Sequence, residues 1–378
     1  MTVSNSSISS SDSQIKPVPF LTGRRVAVAL LWTLFWLVLI DILLNVQFSM
    51  PKSPLEQPSK LQNYFDYGRS VEGKFRLMVG PDKESTALIA QAGWLVDDAQ
   101  DQQPSVASAP DKLLIAAYGQ SFTQQICHSL QSLDSRIELR FKGGPSSTLA
   151  HSYAYYKFDA SHHRADIVVL GILASSLPFS MAPTIATLNF EGAAPYTYPF
   201  YSLMDGQLVE NDPLIHSLDE LRTALWSKPE QWDAYVAMLR SKSPTFNGWV
   251  FESDWFDYSV LGKMVRRSIG QKHVHDVTAR YWNAQGFTNA DGLLDISNAL
   301  IADFVSKVRA KNQMPYILLI QDKGYKDHLV LAFEKQLKQM DVPYLSTHQI
   351  APSTNMRNFV SDGHFTPRSD CRYSHGFS

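Results

Sequence analysis

A chain of 378 residues that is 44% hydrophobic and 12% aromatic can bury a sizeable core, and it suits one large α/β domain plus an anchor or two smaller domains. The formal net charge of -2, with no basic stripe beyond the N-terminal segment, gives a nucleic-acid partner nothing to hold. Two cysteines, Cys127 and Cys371, are too few for a disulfide framework; a buried thiol beside an incidental one, or a single bridge in an oxidising compartment, both fit.

Residues 1–25 read as a cytoplasmic tail whose first fifteen positions, rich in Ser, Thr and Asn, are expected to be disordered. Residues 26–46, VAVALLWTLFWLVLIDILLNV, read as a transmembrane anchor, since about 20 apolar residues cross a hydrocarbon core as a helix. Asp41 interrupts the run near its far end, where a carboxylate reaches the interface or takes a proton. Arg24 and Arg25 directly before the span, with Lys16 upstream, set the N-terminus in the cytoplasm and the bulk of the chain outside. A cleaved signal peptide has a shorter apolar stretch and a small-residue cleavage site, which Gln47-Phe48-Ser49-Met50-Pro51 does not offer. A buried core helix needs a covering segment that the preceding residues do not supply. Residues 47–69, with MPKSPLEQPSK inside them, read as a tether. The soluble domain is then expected over 70–378.

From Lys112 strands and helices alternate. KLLIAAYG is a buried strand ending in glycine, and SFTQQICHSLQSL follows with Phe122, Ile126 and Leu130 at helical spacing. IELRF is a second strand, closed by Gly143-Gly144-Pro145, and a helix is expected around 148–158. ADIVVLGIL, PYILLIQ and VPYLS are further strands, with a helix over about 325–340. Continuous apolar strands separated by helices predict an α/β fold, a mostly parallel sheet with helices on both faces. Residues 190–300 break the rhythm and read as an insertion. YPFYSLMDGQLVEND predicts a hairpin turning at Asp205-Gly206, followed by helices around 217–240 and 255–268. Trp232, Trp249, Trp255 and Phe256 in this insertion either shape a lid or substrate surface or pack a core.

Ser121 in YGQSFT stands where a strand turns into a helix. Such a turn lifts the hydroxyl out of the sheet and aims the free N–H groups of a helix start at developing negative charge. Gly119 permits the bend. A serine there also simply caps a helix. Near the C-terminus stands Ser361-Asp362-Gly363-His364-Phe365-Thr366-Pro367. Histidine is the usual base at neutral pH, and a nearby carboxylate orients its ring. His151 follows the glycine turn and either lines the site or is structural; His162 and His163 read as a solvated turn. His273 and His275 lack an acidic or cysteine partner at ligand spacing, so no metal and no cofactor are expected.

A nucleophile after the first strand with an Asp/His pair after the last resembles the SGNH/GDSL hydrolases, over about residues 112–367. Gly119-Gln120-Ser121 is similar to that family's G-D-S segment, with Gln in place of Asp. The resemblance implies a three-layer, flavodoxin-like fold and a triad of Ser121, Asp362 and His364. It also implies an oxyanion hole drawn from Ser121, Gly143 or Gly144, and Ser175 or Ser176. The family's G-x-N motif matches Gly171-Ile172-Leu173, which keeps the glycine and loses the asparagine. Asp362-Gly363-His364 is one residue shorter than the usual D-x-x-H and looks like the D-x-H of relatives that acetylate or deacetylate exported polysaccharides. In the family a helix follows this loop, whereas RSDCRYSHGFS after Pro367 is polar and without helical periodicity.

The resemblance thus implies a serine esterase or O-acyltransferase acting on O-acyl, chiefly O-acetyl, groups of an extracytoplasmic carbohydrate. The expected location is the inner membrane, single-pass, with the catalytic domain periplasmic. The expected partners are the carbohydrate, the bilayer and polysaccharide-assembly proteins. A non-catalytic scaffold or carbohydrate-binding module in polysaccharide export is the alternative, on account of the missing Asn, the Gln for Asp and the altered C-terminus.

Overall fold

The computed structural model describes residues 23–95, 106–107, 111–361 and 363–366. Residues 1–22 of the tail expected over 1–25, together with Asp362, Cys371 and the segment after Thr366, lie outside the described residues, while Gly23, Arg24 and Arg25 belong to a helix.

The chain divides into two units, 1–47 and 48–378. The first contains helix α1, Gly23–Gln47, whose 25 residues extend about 37 Å at 1.5 Å each. It is long and apolar enough to cross a membrane, and none of its residues is buried. Polar side chains within it turn back on its own backbone: Thr33 Oγ1 donates to the Ala29 carbonyl and Asn45 Nδ2 to that of Asp41.

In the second unit, α2 (Lys60–Asp66) starts at a capping box in which Ser59 and Gln62 exchange hydrogen bonds, and α3 (Val71–Met78) starts at Ser70. The parallel sheet follows. Its strands are β1 (Leu113–Gly119), β2 (Ile137–Gly143), β3 (Ile167–Leu173), β4 (Met314–Ile320) and β5 (Tyr344–Ser346), in the order 5-4-3-1-2. Helix α4 (Ser121–Leu133) joins β1 to β2, and α5 (Leu149–Asp159) leads towards β3. Each central strand feeds two cores, because side chains alternate across a sheet buried on both faces. Leu114, Ala116 and Tyr118 join the larger core, while Ile115 and Ala117 face α4 residues Phe122, Ile126 and Cys127 in the smaller one. Burial pushes the Cys127 thiol up to about 12, so it packs as a small hydrophobe.

Between β3 and β4 lies the insertion. Its hairpin pairs Phe200–Met204 with Gln207–Asn211 about Asp205 and Gly206, whose φ values of 51° and 75° make the turn that hairpin twist favours. Then come α6 (Leu218–Trp226), α7 (Pro229–Lys242), α8 (Gly248–Phe251), α9 (Val260–Tyr281) and α10 (Leu293–Ala310). The helical stretch expected around 217–240 forms two helices, divided at Lys228, where Pro229 opens the second. After β4 runs α11 (His328–Gln339).

The expected tether does not run free to residue 69. Buried Asp66 on α2 takes an ion pair from Lys263 of α9 at 2.7 Å and another from Arg69 at 2.8 Å. Asp257 accepts from Ser70 N at 2.8 Å and Ser70 Oγ at 2.6 Å, and also pairs with Arg266. Charges that far from water are held only when paired, so α2 and α3 are locked onto the insertion. The aromatic residues there divide. Trp232 packs against Phe75 and Phe251 in the larger core, while Trp249 and Trp255 remain exposed.

Candidate active site

In strand order 5-4-3-1-2 the chain passes from β1 to β2 on one side and from β2 back to β3 on the other, so the topological switch point falls at the carboxyl ends of β1 and β3. In open α/β sheets this is where ligands bind. Ser121 stands at that point. β1 ends at Gly119, Gln120 is extended with φ -111° and ψ -175°, and Ser121 is the first residue of α4. Its N–H, in the first turn, has no acceptor within the helix. Beside it, Gly143 pairs with Gly119, and a Cβ on Gly143 would stand 1.8 Å from the Gly119 carbonyl oxygen. Only glycine lets the two strand ends close so tightly next to the serine.

His364 arrives from the other end of the chain. Phe359 and Phe365 form an antiparallel bridge, Val360 N donates to the His364 carbonyl at 2.8 Å, and Gly363 N donates back to Val360 at 3.0 Å. Gly363 sits at φ +91°, where a side chain would be strained. Phe365 is buried in the smaller core with Phe359 and Phe122. The imidazole stacks on Phe122, with ring centroids 4.8 Å apart and planes 20° apart. The result is a contact of 2.7 Å between Ser121 Oγ and His364 Nε2, across 243 positions of chain. With Nε2 unprotonated the hydroxyl donates to it, as a general base requires. Both residues are half-buried.

The expected oxyanion donors are disposed differently from the sequence reading. Gly144 N donates to Ser147 Oγ at 2.8 Å, and Ser175 N to Asp322 Oδ1 at 3.0 Å. Ser176 Oγ donates to the carbonyls of Ser147 and Leu173, each at 3.2 Å. These donors are committed inside the protein, whereas the Ser121 N–H lies in the first turn of α4 and Gly143 stands in register with Gly119 at the strand end. Gly171 serves packing: a Cβ there would lie 2.0 Å from Thr123 Oγ1, so the glycine seats α4 against β3. Leu173 is buried in the smaller core.

Three histidines also find definite places. His151 is fully buried, stacked on Tyr155, Tyr196 and Tyr198, and burial lowers it to about 3. His163 is not solvated as its polar surroundings suggested. Its Nδ1 accepts from Ala165 N at 3.1 Å, so Nε2 carries the proton and donates to the Tyr118 hydroxyl 2.7 Å away. Tyr118 donates in turn to Asp159, which also holds Arg140. Burial outweighs the Asp159 charge and lowers His163 to about 4. His273 Nε2 meets the Thr245 carbonyl at 2.9 Å. Among the described residues no cluster of three His, Cys, Asp or Glu side chains is placed to hold a metal.

One residue at this edge escaped the sequence reading, and another was read there only as a departure from the G-D-S segment. Asp322 follows β4, and burial raises its carboxyl to about 6 against the opposing hydrogen bonds from Ser175. An acid directly after an apolar strand was the available signal. Gln120 is buried beside Ser121, and neither atom of its side-chain amide has a hydrogen-bond partner among the described residues. No family model matches the chain, and no curated protein does either.

Proposed function

We propose that the chain is a membrane-anchored serine esterase or O-acyltransferase of SGNH type. The observation that carries this reading is the 2.7 Å approach of Ser121 Oγ to His364 Nε2 at the carboxyl edge of a parallel sheet. His364 takes the hydroxyl proton as Ser121 attacks an ester carbonyl, and Asp362 orients the imidazole and stabilises its charged form. The oxyanion rests on the N–H of Ser121, at the positive end of α4, and on backbone at Gly143. His364 then returns its proton to the leaving alkoxide. Water, or a sugar hydroxyl, attacks the acyl-serine with His364 again as base, which separates hydrolysis from transfer only by the acceptor.

Helix α1 supports single-pass anchoring, and Arg24 and Arg25 before it support a cytoplasmic N-terminus with the catalytic domain on the periplasmic side of the inner membrane. That location, with the D-x-H form of the base loop, makes O-acetylated envelope or exported carbohydrate the substrate class and polysaccharide-assembly proteins the natural partners. The commitment of the Gly144 and Ser175 N–H groups within the protein favours a second reading, a non-catalytic carbohydrate-binding module. Hydrolysis of p-nitrophenyl acetate by the full chain separates the two. The enzyme reading expects turnover that falls by about 10⁴–10⁶ in Ser121→Ala; turnover equal in the variant and the parent contradicts it.

A further inference from the structure

A cavity of about 680 Å³ is walled by residues 50–58, by α2 and α3, by the segment 87–89 and by residues 191–193. That volume falls within the usual range of small-molecule sites, about 300–1,000 Å³. Its wall is mainly apolar: Met50, Leu55, Leu77, Met78, Leu88 and Ile89. Three of these are unusually open to solvent for their type, Leu55 at 62%, Leu88 at 79% and Ile89 at 56%. An apolar cavity with an apolar rim marks a surface meant for a nonpolar occupant.

Chain connectivity says where that occupant comes from. Met50 stands three residues beyond the end of α1 at Gln47. Three residues span no more than about 11 Å, so the cavity wall begins within that distance of the end of the apolar helix. The polar lining narrows the chemistry further. Lys74 donates to the carbonyls of Tyr67 and Phe190, and burial lowers it to about 7. Asp66 and Glu191 are already paired with Lys263 and Arg267. Glu56 is the remaining carboxylate of the lining and stands in the solvent-exposed part of the wall, so the charge nearest the apolar residues is either paired or bonded to backbone, which suits a neutral hydrocarbon chain better than a free anion.

We propose that this cavity binds an acyl chain of a membrane lipid, drawn from the leaflet into which α1 leads. The proposal rests on the anchor reading of α1 and is independent of the chemistry at Ser121. Bound lipid holds the start of the domain, residues 50–58, against α3 and so fixes the domain at the membrane surface.

The test uses the full chain in phospholipid nanodiscs containing a phosphatidylcholine with a diazirine at the end of one acyl chain. After photolysis, adducts are mapped by peptide mass spectrometry. The expected result is adducts both within 23–47 and on residues 77–78 or 88–89. In Leu88→Asp, which places a charge at the exposed rim without disturbing the core, the cavity adducts should fall about tenfold while those in 23–47 persist. Adducts in 23–47 with none in the cavity, or cavity adducts indifferent to Leu88→Asp, overturn the lipid site and leave the anchor standing. Adducts in neither place overturn the anchor reading and the lipid site together.

Discussion

Ser121 and His364 reach the same point by opposite means. Ser121 is presented by a strand and a 13-residue helix, both packed into a buried sheet, so its place is over-determined. His364 rides on a short loop whose supports include an antiparallel bridge, a left-handed glycine and ring contacts among Phe122, Phe359, Phe365 and the imidazole itself. The difference teaches where such a site is vulnerable: the serine's half is secured by the fold, and the histidine's half by a few side chains that could be removed without unfolding the sheet.

Phe365→Ala should break the pair most severely short of removing a reactive group. Phe365 is 1% exposed, and deleting a buried phenyl ring costs about 3–5 kcal/mol. Because the loss falls on the loop, turnover should collapse while the far-ultraviolet circular dichroism of the α/β core stays; a Phe365→Ala protein with parental turnover would show that the base loop has other supports.

The next effect concerns the core beneath the site rather than the loop. His163 is held neutral in the fold, with its pKa lowered to about 4 from an ordinary 6.5. Between those values the unfolded chain binds a proton that the folded chain refuses, so stability falls as pH drops from about 6.5 to 4, by at most about 3 kcal/mol. His163→Gln should flatten the dependence of Tm on pH across that window by roughly one proton. An unchanged slope would mean that His163 titrates normally and that its bond to Tyr118 is not maintained.

Smallest is Gly363→Ala. A side chain at φ +91° costs roughly 1–2 kcal/mol, enough to lower the fraction of molecules with His364 in place by about tenfold or somewhat more. The drop should appear in kcat with little change in KM, and Tm should barely move. A fall in Tm of many degrees instead would place the glycine in the global fold rather than in the base loop.

How much of this was legible in the sequence follows from where the determining interactions lie. Buried strands such as LLIAAYG announce themselves by continuous apolar runs, and the turn at Asp205-Gly206 by its residue types, because the deciding forces act within a few residues. The pairing of Ser121 with His364 was readable only as chemistry, a nucleophile and a base at opposite ends of an alternating pattern; their distance depends on the whole sheet. The docking of α2 was hidden because Asp66 finds Lys263 197 positions away. His163 looked solvated because its partners, Tyr118 and Asp159, belong to other elements. The donors of Gly144 and Ser175 were assigned by analogy, and the side chains that occupy them, Ser147 and Asp322, could not be weighed without coordinates.

The central claim is that His364 activates Ser121. Its most direct test is fluorophosphonate labelling of the full chain, with the adduct located by peptide mass spectrometry and its rate compared with that of His364→Ala. The account predicts a single adduct on Ser121, formed at least about 10³-fold faster in the parent than in the variant. Labelling of Ser121 at the same rate in both proteins, or no labelling of it in either, would contradict it.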